Sequence, residues 1–122
     1  MLIGELAVAG AVGAVLRYLV DHLVQRRADS PFPFGIMVVN LTGSFFLGVL
    51  VGAGLRHGVS ASLVTVAGTG LIGSYTTFST FTFDSVRLAE NGRRSMSVLN
   101  VTVGMVAGIG VAAAGLALGS LF

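Results

Sequence analysis

Two stretches of this chain, residues 34–55 and 96–121, contain no charged side chain at all. Each exceeds the ~20 apolar residues that a helix needs to cross bilayer hydrocarbon. Two more stretches, 2–24 and 60–88, carry few charges and read the same way. Hydrocarbon offers no water to a backbone N–H or C=O, so a spanning segment satisfies its own as a helix. The chain is therefore expected to be an all-α membrane protein, one domain over residues 1–122 with four transmembrane helices. The connections, 25–33, 56–59 and 89–95, are short enough to make successive helices antiparallel. Composition agrees: 54% of residues are hydrophobic and 10% charged, too few charges to cover a soluble domain of this size. The first stretch lacks a basic leading region and a clear cleavage site, and is expected to be a retained helix rather than a signal peptide.

Several chemistries fall away early. There is no cysteine, hence no disulfide, thiolate metal site or cysteine nucleophile. No nucleophile–base set or metal-ligand cluster is visible, so an enzyme is not expected. The formal charge of +2 is too small to argue for nucleic acid. All seven basic side chains are arginine, and they read as topology signals.

The third stretch is unlike a plain lipid-spanning helix. Its middle reads Gly68-Thr-Gly-Leu-Ile-Gly-Ser-Tyr-Thr-Thr-Phe-Ser-Thr-Phe-Thr-Phe-Asp84. Hydroxyls at Thr76, Thr77, Ser79, Thr80 and Thr82 are crowded together, and Gly68, Gly70 and Gly73 weaken the helix just upstream. We read it as a broken membrane helix, with exposed backbone groups aimed inward and something polar passing or binding there. Phe78 and Phe81, three apart, share a face. Such a pair is usually packing, yet ring edges are positive and can face an anion, and hydroxyls can donate to the same anion.

Other polar residues in the spans admit two readings. Arg17 and Asp21 lie one turn apart, as a snorkelling pair near the helix end or as part of a pore mouth. His22 and Glu5 sit near the membrane edge. Asn40, one turn before Ser44, makes an interhelical hydrogen bond or donates its amide to a passing anion, the first being commoner. Asp84 reads first as a solvated helix end. Gly10/Ala14, Gly48/Gly52 and Gly104/Gly108, each four apart, are suited to close helix packing.

Three strings in order, Gly13-Ala-Val-Leu-Arg17-Tyr18, Val39-Asn-Leu-Thr-Gly-Ser-Phe45 and Thr76-Thr-Phe-Ser-Thr-Phe81, resemble the small four-helix fluoride channels of the Fluc/CrcB family. The likeness covers essentially the whole chain, and the third string is its most specific part. It implies a fluoride-specific channel in the cell membrane that exports fluoride passively and confers fluoride resistance. It implies an antiparallel, dual-topology-type dimer with two narrow pores. Phe78 and Phe81 match the pore phenylalanines, Asn40 the pore asparagine, and Ser79 and Thr80 the hydroxyls beside the rings. Arg17 matches a vestibule arginine, and Asp84 stands where a glutamate is common. A structural, untransported sodium ion at the dimer centre would be held by the backbone carbonyls of Gly73 and Thr76. Four positions depart from the pattern: Ile36 for a pore threonine, Ser74 for a second glycine, and Asn100 and Gly104 for a tyrosine and a serine of the fourth helix.

Rival readings are a small multidrug-type, proton-coupled cation transporter and a non-conducting membrane assembly subunit. The first needs a membrane-buried carboxylate, which residues 7–16 lack; the second leaves the hydroxyl–phenylalanine cluster without a purpose. Arg26, Arg27, Arg87, Arg93 and Arg94 gather on one side of a four-span arrangement, with Arg56 on the other. The positive-inside rule then sends both termini outward. The partner in the dimer is either a second copy or an oppositely oriented relative.

Overall fold

The computed structural model describes residues 1–122, and they are helical almost throughout. Helix α1 spans Leu2–Ala28 and α2 spans Phe34–His57. The third stretch begins with α3, residues 61–75: an α-turn at Ala61–Val64, a wider π-helical run at Thr65–Ile72, and an α-turn at Gly73–Tyr75. After it comes α4, Phe78–Glu90, and α5 spans Arg94–Leu121. Helices α1, α2 and α5 are long and apolar enough to cross a membrane.

All four apolar stretches run further as helix than their apolar parts. Helix α1 continues through Gln25, Arg26 and Arg27, and the two arginine charges suit the negative end of the helix dipole. It ends at Asp29 in the left-handed conformation (φ 45°), which short acidic side chains tolerate. Helix α2 ends on Gly58 at φ 68°, where a Cβ would be strained. Between them, Gln25 ties the connection down. Its Nε2 donates to the Ser30 and Phe32 carbonyls (2.8 and 2.9 Å), and its Oε1 accepts from the Gly35 N–H at 3.0 Å.

Close backbone approach builds the bundle. Helices α2 and α5 share the largest interface. A Cβ on Gly48 or Gly52 would overlap the Ala112 or Leu116 carbonyl, and one on Gly115 or Gly119 would overlap the Phe45 or Val49 carbonyl. Gly48 and Gly52 thus pack as their spacing suggests, against a second four-spaced pair, Gly115 and Gly119. The other pairs differ. A Cβ on Gly10 would come no nearer than 4.0 Å to the Gly70 carbonyl and one on Gly108 would meet nothing, whereas one on Gly104 would meet an aromatic ring. Gly13 lets α1 close on α3, where a Cβ would overlap Ser74 Oγ and the Leu71 carbonyl. Ser74 Oγ lies 2.8, 2.9 and 3.2 Å from the Gly10, Gly70 and Leu71 carbonyls, and its single proton, nearest the Gly10 oxygen, joins α3 to α1.

The Arg17–Asp21 pair is not formed; the one ion pair joins the N-terminus to Glu5. The Asp21 carboxylate instead lies against Gly35, in the first turn of α2. A helix N-terminus carries partial positive charge, and Gly35 leaves room for the approach. His22 stacks on Tyr18 with ring centroids 5.8 Å apart.

Candidate functional site: an uncharged cleft at the Thr76–Thr77 interruption

Between α3 and α4 two residues leave the helix. Thr76 (φ −80°, ψ 158°) and Thr77 (φ −148°, ψ 121°) are extended. Both are β-branched, which suits that conformation better than glycine would. The upstream glycines stay helical, within the π-helical run and the turn after it.

Asn40 of α2 occupies the interruption. Its Oδ1 accepts from the Thr77 N–H and its Nδ2 donates to the Thr77 carbonyl, both at 2.9 Å. One side-chain amide thus pairs with both polar groups of one residue, as a neighbouring strand would. In an unbroken helix the Thr77 N–H would have served the Gly73 carbonyl, four residues back. A second diversion lies just beyond. Thr77 caps α4, its Oγ1 accepting from the Thr80 N–H at 3.2 Å. That N–H would otherwise have served the Thr76 carbonyl. Gly73 and Thr76 therefore both lose their helical donors to the same pair of residues, Asn40 and Thr77.

These groups border an open cleft of about 420 Å³. Asn40, Gly73, Thr76, Phe78 and Phe81 all line it, with Ser44, Thr77, Gly104 and Gly108. None of its lining residues is charged. The Phe78 and Phe81 ring centroids are 6.1 Å apart with planes tilted by 47°. Their surroundings differ: Phe81 is 8% exposed and Phe78 73%. Gly104 accommodates Phe81, since a Cβ there would come within 2.7 Å of the ring at Cε1. Gly43 makes room for Thr76 in the same way.

Ser79 and Thr80 do not line the cleft, and neither do Arg17 and Asp84. Ser79 is exposed, while Thr80, Arg17 and Asp84 are half-buried. The hydroxyls of Ser79 and Thr80 lie 3.3 and 3.2 Å from Thr77 Oγ1, grouped around the α4 cap. Ile36 is buried in the α2 core. Asn100 is 1% exposed and bonds to Ser85 rather than facing the cleft. Thr77 is a cleft residue that does not stand out in the sequence. Its signal is a threonine at an N-cap position, hidden among five closely set hydroxyls.

A family model described as "CrcB-like protein, Camphor Resistance (CrcB)" matches residues 5–116. The chain belongs to the CrcB family. Curated relatives agree with that membership along nearly the whole chain. A Streptomyces avermitilis protein named "Fluoride-specific ion channel FluC 1" is 44% identical over 111 residues, 90% of each chain. A Frankia casuarinae protein of the same name is 44% identical over 119 residues, covering 93% of this chain and 92% of its own. One from Leifsonia xyli is 41% identical over 115 residues, or 94% and 84%. Within this CrcB chain, the three strings that carry the likeness fall on α1, on α2 and across the α3–α4 interruption.

Proposed function

We propose that this chain is one subunit of a fluoride-specific channel that lets the ion leave the cell passively. One observation carries the reading: neutral donors and aromatic rings border a single uncharged cleft in a chain built to cross a membrane. Fluoride holds its hydration tightly. A pore has to replace that water with donors, yet bind weakly enough for the ion to leave. Ring edges and neutral N–H and O–H groups offer such a compromise, and a buried arginine would bind more firmly. Phe78, Phe81 and Asn40 are the groups nearest this task, with Ser79 and Thr80 at the start of α4 and Arg17 and Asp84 at a vestibule. A proton-coupled cation carrier would need a carboxylate in the cleft, which has none.

The cleft is open along one side and Phe78 is largely uncovered, which supports a second subunit closing it. The interruption at Thr76–Thr77 is then the functional break in the third membrane segment, set at the interface of an antiparallel dimer. The donor set there suits a structural sodium ion. Hard cations take oxygen ligands, and the Gly73 and Thr76 carbonyls are relieved of their helical donors. They would hold the ion, which supplies charge that ties the two subunits together and is not transported.

The physiological role is resistance to fluoride in the plasma membrane. Neutral hydrogen fluoride enters from an acidic medium and dissociates, and the negative-inside potential drives the anion out through the pore. Expression together with an oppositely oriented relative that is inactive by itself, in a bacterium lacking its own fluoride export, is expected to restore growth in fluoride and lower retained intracellular fluoride. Unchanged growth and retention, with the protein present in the membrane, would contradict this role.

The arginine asymmetry supports a subunit with a preferred orientation that pairs with an oppositely oriented relative. Loops 29–33 and 91–93 lie at the same end of the bundle, beside Arg26, Arg27, Arg93 and Arg94. A C-terminal tag is then expected to be reachable from outside the cell only. Equal labelling from both sides would instead assign a homodimer of mixed orientation.

A further inference from the structure

We propose that Asn100 is a positioning residue for Phe81, acting through Ser85. The inference rests on the fluoride-channel reading, because it concerns a ring placed in that pore. Helix α4 is joined to α3 only through the extended residues 76 and 77, so its placement comes from what it packs on. It rests far more on α5 than on α2.

Three positions of α5, each a turn or less from the next, engage a single turn of α4. Ser97 Oγ donates to the Ser85 carbonyl at 2.6 Å. Asn100 Nδ2 donates to Ser85 Oγ at 2.8 Å, and Ser85 Oγ donates to the Phe81 carbonyl at 2.9 Å. Gly104 receives the edge of the Phe81 ring. The relay thus runs from Asn100 to the backbone that carries the ring, and the ring itself is seated one turn further along the same helix.

The amide pairs only in part, which separates this role from ordinary packing. Asn100 is 1% exposed, and its Oδ1 is buried without a partner. Turning the amide over does not repair this. The single Ser85 proton would then go to Asn100 Oδ1, leaving Nδ2 unpaired and drawing the proton away from the Phe81 carbonyl. A buried polar group left unpaired destabilises the fold, and an apolar side chain of the same shape would remove that penalty. The side chain is therefore poorly chosen for stability, and well placed to fix Ser85 and with it Phe81.

The test compares Asn100→Leu in the otherwise unchanged protein and in a Phe81→Ile background. Fluoride efflux from liposomes and thermal unfolding are both measured. The expected result is an unfolding temperature no lower than that of the parent. Fluoride flux should fall about tenfold in the unchanged protein, within the range by which contacting residues couple. No further loss should appear in the Phe81→Ile background. Ser97→Ala, which removes a bond to the same turn of α4, is expected to give a smaller loss that also vanishes in that background; it decides the matter if the leucine variant does not assemble. Unchanged flux in Asn100→Leu, or an equal loss in both backgrounds, would overturn the positioning role and leave the channel reading standing. An unmutated protein that passes no fluoride would overturn the channel reading, and this inference with it.

Discussion

Replacing Phe81 with isoleucine is expected to cut fluoride flux at least about thirtyfold, while the protein still folds and enters the membrane. The ring is buried and rests on Gly104, so a branched aliphatic side chain keeps most of the apolar contact. It supplies no positive edge. A cation over a ring face gains about 2 kcal/mol or more once water is excluded, and an anion at the positive edge meets the other end of the same quadrupole. A barrier raised by about 2 kcal/mol slows passage by roughly thirtyfold. The measurement is initial efflux from liposomes, with size-exclusion behaviour confirming that the protein remains intact. Flux equal to that of the unmutated protein would remove Phe81 from the pore.

Asn40→Ala should have the second largest effect, and by a different route. Alanine leaves both the Thr77 N–H and the Thr77 carbonyl without the partners that Asn40 supplies. An unmet buried backbone group costs about 1–3 kcal/mol, so the two together place the loss at several kcal/mol. The alternative open to the chain is to straighten, returning the Thr77 N–H to the Gly73 carbonyl. That would remove the freed carbonyls and turn Phe78 and Phe81 relative to the cleft. The expected result is both a lower unfolding temperature and loss of most fluoride flux. Asn40→Asp keeps an acceptor for the Thr77 N–H but no donor for the carbonyl, and should be no better than a partial rescue. Wild-type flux in Asn40→Ala would show that the interruption does not depend on this pairing.

Much of the architecture was legible because a bilayer makes composition decisive. Uncharged runs such as 34–55 and 96–121 have few places to go other than helices that cross a membrane. Their ends were less legible. The polar last turns of α1 and α2 extend the helices beyond the apolar residues, and propensity for that is local and weak. The hydroxyl and phenylalanine string marked the right region of the third segment, but not the residues that become extended. Their location depends on Asn40, 37 positions away in sequence, which composition cannot connect to Thr77. The four-residue spacing exposed Gly48 and Gly52. Gly13, Gly35 and Gly43 stayed hidden, because their need to be small comes from Ser74, Asp21 and Thr76 on other helices. Asn100 looked like a lapse in a pore lining. Its meaning lies in Ser85, which no spacing rule links to it.

The most direct measurement is what the intact protein passes in liposomes loaded with potassium fluoride or potassium chloride, into which detergent-purified copies insert in both orientations. With valinomycin carrying potassium, fluoride is expected to leave rapidly without any proton gradient, and chloride to stay. If fluoride also stayed, if chloride left as readily, or if movement required a proton gradient exchanged against a cation, the proposed uncharged fluoride pore would be contradicted.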